Sequence, residues 1–129
     1  MPAKMRAAAQ QVIALFRENN DVHLALDLDG VRWVDGYIER IRANFPREKR
    51  GGLVAYLGAF VGECIIHTYG GAWTRDENGM WGVSVSPRIW ACPAAKIDKQ
   101  FDNGPEDSVA SFVEVIPTLD QHLANRRAE

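Results

Sequence analysis

The sequence predicts an α+β fold in which a central apolar helix packs on a three-stranded antiparallel meander, with about four further helices around them. Two observations lead to this prediction. The longest apolar run, from Gly52 to Tyr69, is apolar nearly all round, as is typical of a buried helix. Three short segments with one tryptophan each follow it and are separated by turn residues, as is typical of adjacent strands.

The length of the chain predicts a single compact domain over residues 1–129. A chain of 129 residues has the size of one ordinary domain. It can bury a substantial core without a structural metal or a disulfide. We therefore expect one domain with no cofactor and no bound metal.

The composition predicts a soluble cytoplasmic protein that binds neither nucleic acid nor membrane. The net charge of −2 and the isoelectric point of about 5.9 argue against a nucleic-acid partner, which favours a basic surface. Cys64 and Cys92 lack a CxxC spacing, which indicates two buried thiols in a reducing compartment. Glu63 and His67 interrupt the central run, which is too short to span a bilayer comfortably.

The N-terminal part predicts two helices joined by an extended segment. Residues Ala3 to Asn19 are good helix formers with apolar residues at spacings of three and four. The segment from Val22 to Leu28 alternates apolar and polar residues, which predicts an extended backbone. An apolar stripe at helical spacing then runs from Gly30 to Phe45, with Asp29 as the expected cap and Pro46 as the stop.

Glycines at four positions shape the predicted surroundings of the central helix. Gly58 and Gly62 lie four residues apart on one side of it, where a missing side chain lets another segment approach closely. The pair Gly70-Gly71 supplies the positive φ that a helix C-cap requires.

Three strands are predicted after the glycine pair: Ala72–Arg75, Met80–Val85 and Ile89–Cys92. The turn signals between them are Asp76-Glu77-Asn78-Gly79 and Ser86-Pro87-Arg88, which predict an antiparallel meander. Each strand carries one tryptophan. We expect these three to form one aromatic cluster on the face packed against the helix: Trp73, Trp81 and Trp90.

Three further helices are predicted in the C-terminal part: Pro93 to Phe101, Pro105 to Ile116 and Thr118 to Arg127. Proline at position 93 suits the first turn of a helix.

Glu63 is the most unusual residue because it is a carboxylate in the middle of an apolar helix. With His67 on the same face, it would suit a metal site or a hydrolase that uses Glu63 as general base. A metal needs a further ligand, and neither His23 nor His122 lies in a recognisable partner motif. An unpaired buried carboxylate is costly, so we expect Glu63 to be buried and bonded to a tryptophan N–H, a tyrosine O–H, an arginine or strand amides.

Charged segments expected at the rim of the fold are the candidates for contact with a partner. They are Asp27, Asp29, Asp35, Arg47, Lys49, Arg50, Asp76, Glu77, Asp102, Glu106 and Asp107. Structural roles are predicted for Gly58, Gly62, Glu63, Gly70, Gly71, Trp73, Trp81 and Trp90.

Several short motifs occur in a defined order along the chain. Residues Leu57 to Glu63 form an LGxxxGE motif, Gly70 to Trp73 a GGxW motif, and Pro93 to Lys99 a PxxKxxK motif. Over residues 26–113, this order resembles a family of small uncharacterised bacterial proteins. The resemblance implies a compact α+β domain without established catalytic residues. Some members of that family resemble immunity proteins, which neutralise bacterial toxins.

Three functions follow from these observations. The one we favour is a non-enzymatic protein-binding module, most concretely an immunity protein that occludes the active site of a toxin or effector. The second is a small hydrolase or metal-binding enzyme that uses Glu63 and His67. The third is a self-associating structural or regulatory domain, such as a homodimer. The burial of Glu63 separates the first from the second, because catalysis needs a carboxylate that a substrate can reach.

Overall fold

A computed structural model describes residues 2–128 of the chain. Six α-helices and three strands make up most of this part. The helices are α1 (Pro2–Asn20), α2 (Leu28–Ile41), α3 (Arg50–Tyr69), α4 (Pro93–Asn103), α5 (Val109–Glu114) and α6 (Ile116–Ala128). The strands are β1 (Ala72–Arg75), β2 (Trp81–Ser86) and β3 (Ile89–Ala91). Two 3₁₀ turns precede α3 and α5, at Arg47–Lys49 and Gly104–Asp107.

The predicted α+β fold class is confirmed, with α3 as the central helix. Every residue from Leu57 to Ile65 is buried. Burial on all sides of a helix requires neighbours on all sides, and α1, α2, α4 and β2 pack against α3. Within the described part of the chain there are five α-helices besides α3, whereas the sequence predicts about four.

Helix α3 is also long and apolar enough to meet the criterion for a membrane span. The candidate span covers Arg47–Tyr69 with a mean hydropathy of 1.3, but 56% of its apolar window is buried by the rest of the chain. The core helix of a soluble protein has the same length and composition. This property alone is therefore weak evidence for insertion into a membrane.

Helix α2 is capped by Asp27, not by Asp29 as the sequence predicts. The Oδ1 atom of Asp27 accepts a hydrogen bond from the backbone N–H of Gly30 at 2.8 Å, which satisfies one free amide of the first turn. Either aspartate is a suitable cap by residue type. Asp27 is the one with an extended backbone (φ −146°, ψ −178°), whereas Asp29 lies inside the first turn.

The segment before α2 alternates in burial as it alternates in sequence, but it forms no strand in the described structure. Val22, Leu24 and Leu26 are half-buried, whereas His23 and Ala25 are exposed. The leucines pack against the hydrophobic core. The alternation therefore predicts which side chains face the core, although no neighbouring strand pairs with the backbone.

The sheet has the predicted meander order, β1-β2-β3, with both pairs antiparallel. The register places Trp73 opposite Val83 and Arg75 opposite Trp81. Because residues two apart share one face of a strand, Trp73 and Trp81 lie on the same face of the sheet. That face packs on α3, where the ring of Trp73 meets Gly62.

The predicted aromatic cluster is wrong for Trp90. This residue pairs with Ser84 and projects from the opposite face of the sheet. Its side chain is 40% exposed, and its ring covers Gly82, where a Cβ atom would lie 2.4 Å from Cζ2 of the indole. The reason is the alternation of β3, in which Ile89 and Ala91 occupy the buried positions.

The glycines of α3 admit close neighbours, as predicted. A Cβ atom at Gly58 would lie 2.8 Å from the Cβ of Ala94 in α4. A Cβ atom at Gly62 would lie 2.1 Å from Cη2 of Trp73. Gly58 thus allows α4 to pack closely on α3, and Gly62 allows the indole ring of Trp73 to do so. The C-cap prediction for Gly70-Gly71 is also confirmed, with φ values of 91° and 109°.

The last two helices begin at residues other than those predicted. Helix α5 starts at Val109, after Ser108, whose hydroxyl oxygen accepts a hydrogen bond from the N–H of Ser111 at 3.2 Å. Helix α6 starts at Ile116 and contains Pro117 as its second residue, in the first turn where proline costs no backbone hydrogen bond.

Candidate functional site

Glu63 lies in the core and is 4% exposed. Its Oε2 atom accepts a hydrogen bond from the indole Nε1 of Trp73 at 2.7 Å. A tryptophan N–H is one of the partners that the sequence predicts for this carboxylate. The bond joins α3 to β1 and leaves the carboxylate enclosed by protein.

His67 does not share the surroundings of Glu63. It is exposed in the last turn of α3, whereas Glu63 is buried one turn earlier. Among residues 2–128, no group of three His, Cys, Asp or Glu side chains lies close enough together to hold a metal ion. Glu63 and His67 therefore do not form an open site together, as the enzyme alternative would require.

Arg50 is one of the predicted partner-binding residues, but it has ionic partners within the chain. It is the first residue of α3, and its side chain is only 11% exposed. Its Nη1 atom lies 2.8 Å from Oδ1 of Asp102 and 3.5 Å from Oδ1 of Asp98, and its Cζ lies 5.1 Å from the ring centroid of Phe101. The hydrogen bond from Arg50 is the largest cause of the lowered pKa of Asp102. Arg47, which is exposed, reaches the same carboxylate at 3.5 Å.

Asp35 also belongs to the internal structure. Its Oδ2 atom accepts hydrogen bonds from the hydroxyl of Ser108 and, at 2.9 Å, from the N–H of Ala110. Its Oδ1 atom accepts from Nε2 of the fully buried Gln100 at 3.2 Å. The same amide donates to Glu39 at 2.8 Å. This network joins α2, α4 and α5.

Two other acidic candidates stabilise turns. The Oδ1 atom of Asp76 accepts hydrogen bonds from the N–H groups of Asn78 at 2.9 Å and Met80 at 2.8 Å, which orders the connection between β1 and β2. The Oδ1 atom of Asp107 accepts from Nζ of Lys96 at 2.8 Å. This hydrogen bond is the first cause of the lowered pKa of Asp107.

The remaining candidates are exposed but dispersed. Asp29 forms an exposed ion pair with Arg32 at 2.7 Å. Lys49, Glu77 and Glu106 are exposed and lie on three different connections. The ion pairs of Asp102 bring Arg47 and Arg50 together with it, and the contact of the charged candidates with a partner stays a prediction.

An apolar depression at the edge of β3 was not predicted from the sequence. It lies between β3 and helices α5 and α6 and has a volume of about 250 Å³. Trp90, Val115 and Leu119 line it and are 40%, 47% and 42% exposed. We call these three residues the Trp90 face. The order Ile89-Trp90-Ala91 contained a signal for this surface, because successive residues of a strand point to opposite faces. If Ile89 and Ala91 are buried, Trp90 has to lie on the other face.

A larger concave surface lies between α1, α3 and the hairpin of β1 and β2. Its volume is about 530 Å³, and its lining is mostly apolar. The largest lining side chains are those of Tyr56, Trp73, Met80 and Trp81. Among the described residues that line it, Lys4 is the one with a charge. We call this surface the α1–α3 groove.

No family model matches the chain, and no curated protein or solved structure matches it significantly. The resemblance to a bacterial family therefore rests on the sequence motifs alone, and the function has to be inferred from the geometry of the surface.

Proposed function

We propose that this protein is a non-enzymatic binding module for another protein and that the Trp90 face is its contact surface. The observation that carries the proposal is the 40% exposure of Trp90 beside Val115 and Leu119, which are exposed to a similar extent. Tryptophan is mostly buried in folded proteins. It is also among the residues most enriched in the hot spots of protein interfaces.

The surroundings of the Trp90 face have the arrangement of a protein interface, with an apolar centre and a polar rim. Arg88 lines the same depression, and its Nε atom lies 2.9 Å from Oδ1 of Asp120 in α6. The depression of about 250 Å³ is smaller than a typical small-molecule site of roughly 300–1,000 Å³. A side chain or short segment of a protein partner suits it better than an enclosed small ligand.

The burial and the hydrogen bond of Glu63 support a non-enzymatic role. A general base must reach a proton on its substrate within hydrogen-bond distance. The carboxylate of Glu63 is 4% exposed and already accepts the N–H of Trp73. A catalytic role would require the core around it to open.

The narrower form of the proposal is a cytoplasmic immunity protein that blocks a bacterial toxin or effector by covering its active site. The motifs that resemble the bacterial family support this form.

Recovery of the tagged protein from its own cells tests the proposal. We expect a 1:1 complex with one protein, which mass spectrometry identifies and size-exclusion chromatography with light scattering confirms. Trp90→Glu should abolish the complex while the far-ultraviolet circular dichroism spectrum stays unchanged. Tyr56→Glu is the matched control, since Tyr56 is an aromatic residue of similar exposure (45%) in the α1–α3 groove.

The outcomes separate the three functions. A complex that survives Trp90→Glu overturns the Trp90 face as the contact surface. A homodimer without another protein, lost on Trp90→Glu, supports the self-associating alternative instead. The immunity form requires in addition that the partner alone arrests cell growth and that co-expression of the wild-type chain, but not of Trp90→Glu, restores it.

A further inference from the structure

The α1–α3 groove differs from the Trp90 face in volume and in the residues that line it. Its volume of about 530 Å³ falls within the range of small-molecule sites, roughly 300–1,000 Å³. Its floor consists of small residues from two helices, including Ala8 of α1 and Ala55, Gly58 and Ala59 of α3. A floor without bulky side chains leaves room for a flat molecule.

Aromatic and methionine side chains form the walls above this floor. Trp73 and Trp81 lie on the sheet side, and Tyr56 and Met80 stand at the rim with exposures of 45% and 52%. The indole N–H of Trp73 is already bonded to Glu63, so this ring has no free donor for a ligand. Aromatic rings prefer offset or edge contacts with other rings, and methionine adapts to the shape of its neighbours.

The one charge among the described lining residues of the groove is positive. Lys4 is the charged residue among the described lining residues, and Gln11 follows it seven positions later on the same helix. Arg75 is not a described lining residue, although its Cζ lies 5.4 Å from the ring centroid of Trp81, which lines the groove. The acidic residues of the hairpin connection, Asp76 and Glu77, are not among the described lining residues.

We infer that the α1–α3 groove binds a small aromatic monoanion, such as an aryl carboxylate or aryl sulfonate. The aromatic body lies on the small-residue floor between the rings of Trp73, Trp81 and Tyr56. The anionic group lies at the α1 end, where the ammonium of Lys4 attracts it. This site is separate from the Trp90 face and does not depend on the proposed protein partner.

Titration of the full-length protein with 2-naphthoate tests the site, with neutral 2-naphthamide as the isosteric comparison. We expect saturable binding of naphthoate by isothermal titration calorimetry and weaker binding of naphthamide. Changes in backbone amide chemical shifts should cluster around the groove and should be absent from the residues around Trp90.

Lys4→Gln should weaken naphthoate binding roughly two- to five-fold, as for an exposed ion pair, and leave naphthamide binding unchanged. Lys49→Gln, at an exposed lysine outside the groove, is its control and should change neither affinity.

A bulky residue on the floor supplies a second variant. Ala55 is exposed on α3 and lines the groove, so Ala55→Trp should fill the groove without unfolding the protein and abolish binding of both compounds. Ala95→Trp, at an exposed position of α4 outside the lining, is the control and should bind as the wild type does. The inference is overturned if naphthoate shows no saturable binding at millimolar concentration, if a correctly folded Ala55→Trp variant binds it normally, or if naphthamide binds as tightly as naphthoate.

Discussion

Trp73 donates its indole N–H to the carboxylate of Glu63 over 2.7 Å, and both residues are buried. The two residues are ten positions apart and belong to the central helix and the first strand. The six-membered part of the Trp73 ring lies against Gly62, the residue before Glu63. One hydrogen bond and one close contact thus hold the same indole ring on α3. Loss of either should therefore loosen the packing of the sheet on the helix.

Glu63→Gln should destabilise the protein by about 2 kcal/mol, because an amide oxygen is a weaker acceptor for the N–H of Trp73 than a carboxylate and the new NH₂ group is buried without partners. Urea unfolding followed by circular dichroism measures the change. The midpoint should fall while the slope of the free energy of unfolding against urea stays constant.

Trp73→Phe tests the same bond from the donor side. It leaves the buried carboxylate of Glu63 without its tryptophan partner, and we expect a loss of stability at least as large as that of Glu63→Gln. The double variant should lose less stability than the sum of the single variants, because the two residues share one interaction. A Glu63→Gln variant of wild-type stability that has lost a measurable activity would instead favour the enzyme alternative.

Gly62→Ala should destabilise the protein by about 1–3 kcal/mol, because the new methyl group overlaps a packed ring. A Cβ atom there would lie 2.1 Å from Cη2 of Trp73. Gly52→Ala in the same helix is the control, since a Cβ atom there meets nothing within 4 Å. This control should stabilise the protein slightly, by about 0.4–1 kcal/mol. Thermal unfolding of the two variants gives the comparison, and an equal effect of both would contradict the close packing of Trp73 on α3.

The elements of the fold could be predicted because their signals are local. The run from Gly52 to Tyr69 is apolar on all sides, and the turn residues after it separate three short strands. A prediction of the face that Trp90 occupies required the register of β3. Trp90 points to one face and Ile89 and Ala91 point to the other, and the register places Ile89 and Ala91 on the buried face. A pattern of three residues is too short to show which of the two faces is buried.

The roles of the charged residues could not be predicted, because they depend on distant parts of the chain. Arg50 and Asp102 are separated by 52 positions, and Asp35 and Ser108 by 73. Residue type and local exposure suggest a surface group in each case. Tertiary packing makes Arg50, Asp35 and Asp107 internal partners instead. Glu63 was more predictable, because the cost of an unpaired buried carboxylate requires a partner wherever it lies.

Cys64 should be unreactive toward iodoacetamide in the native protein at pH 8. Its side chain is fully buried, and burial is the main cause that raises the pKa of its thiol to about 12, with a smaller contribution from the charge of Asp27. At pH 8 the thiol is therefore almost entirely protonated, and the thiolate is the reactive form. Intact-mass spectrometry should show at most one adduct, on the half-buried Cys92, and two adducts in urea. Labelling of Cys64 without denaturant would contradict the packing around α3.

Asp120 should contribute to stability in a way that depends on pH. Its pKa is lowered, first by the hydrogen bond from Arg88 and then by that from Ser86. Because the folded state holds this proton less tightly than the unfolded state, the unfolded state binds more protons in acid and stability rises with pH. The contribution is complete above the pKa of an unfolded aspartate, about 4, and is lost as the pH falls through the lower folded value.

The difference in stability between the wild type and Asp120→Asn isolates this effect from the other carboxylates. Urea unfolding at a series of pH values should show a constant difference above about pH 5 and a steady decrease below about pH 4. Ser86→Ala removes one of the two hydrogen bonds that lower the pKa of Asp120. In that background the total decrease should be smaller and should be complete at a higher pH, since the folded pKa moves toward the unfolded value while the unfolded pKa that sets the onset stays the same. A difference that does not change with pH would show that the carboxylate of Asp120 gains nothing from Arg88 and Ser86 in the folded protein.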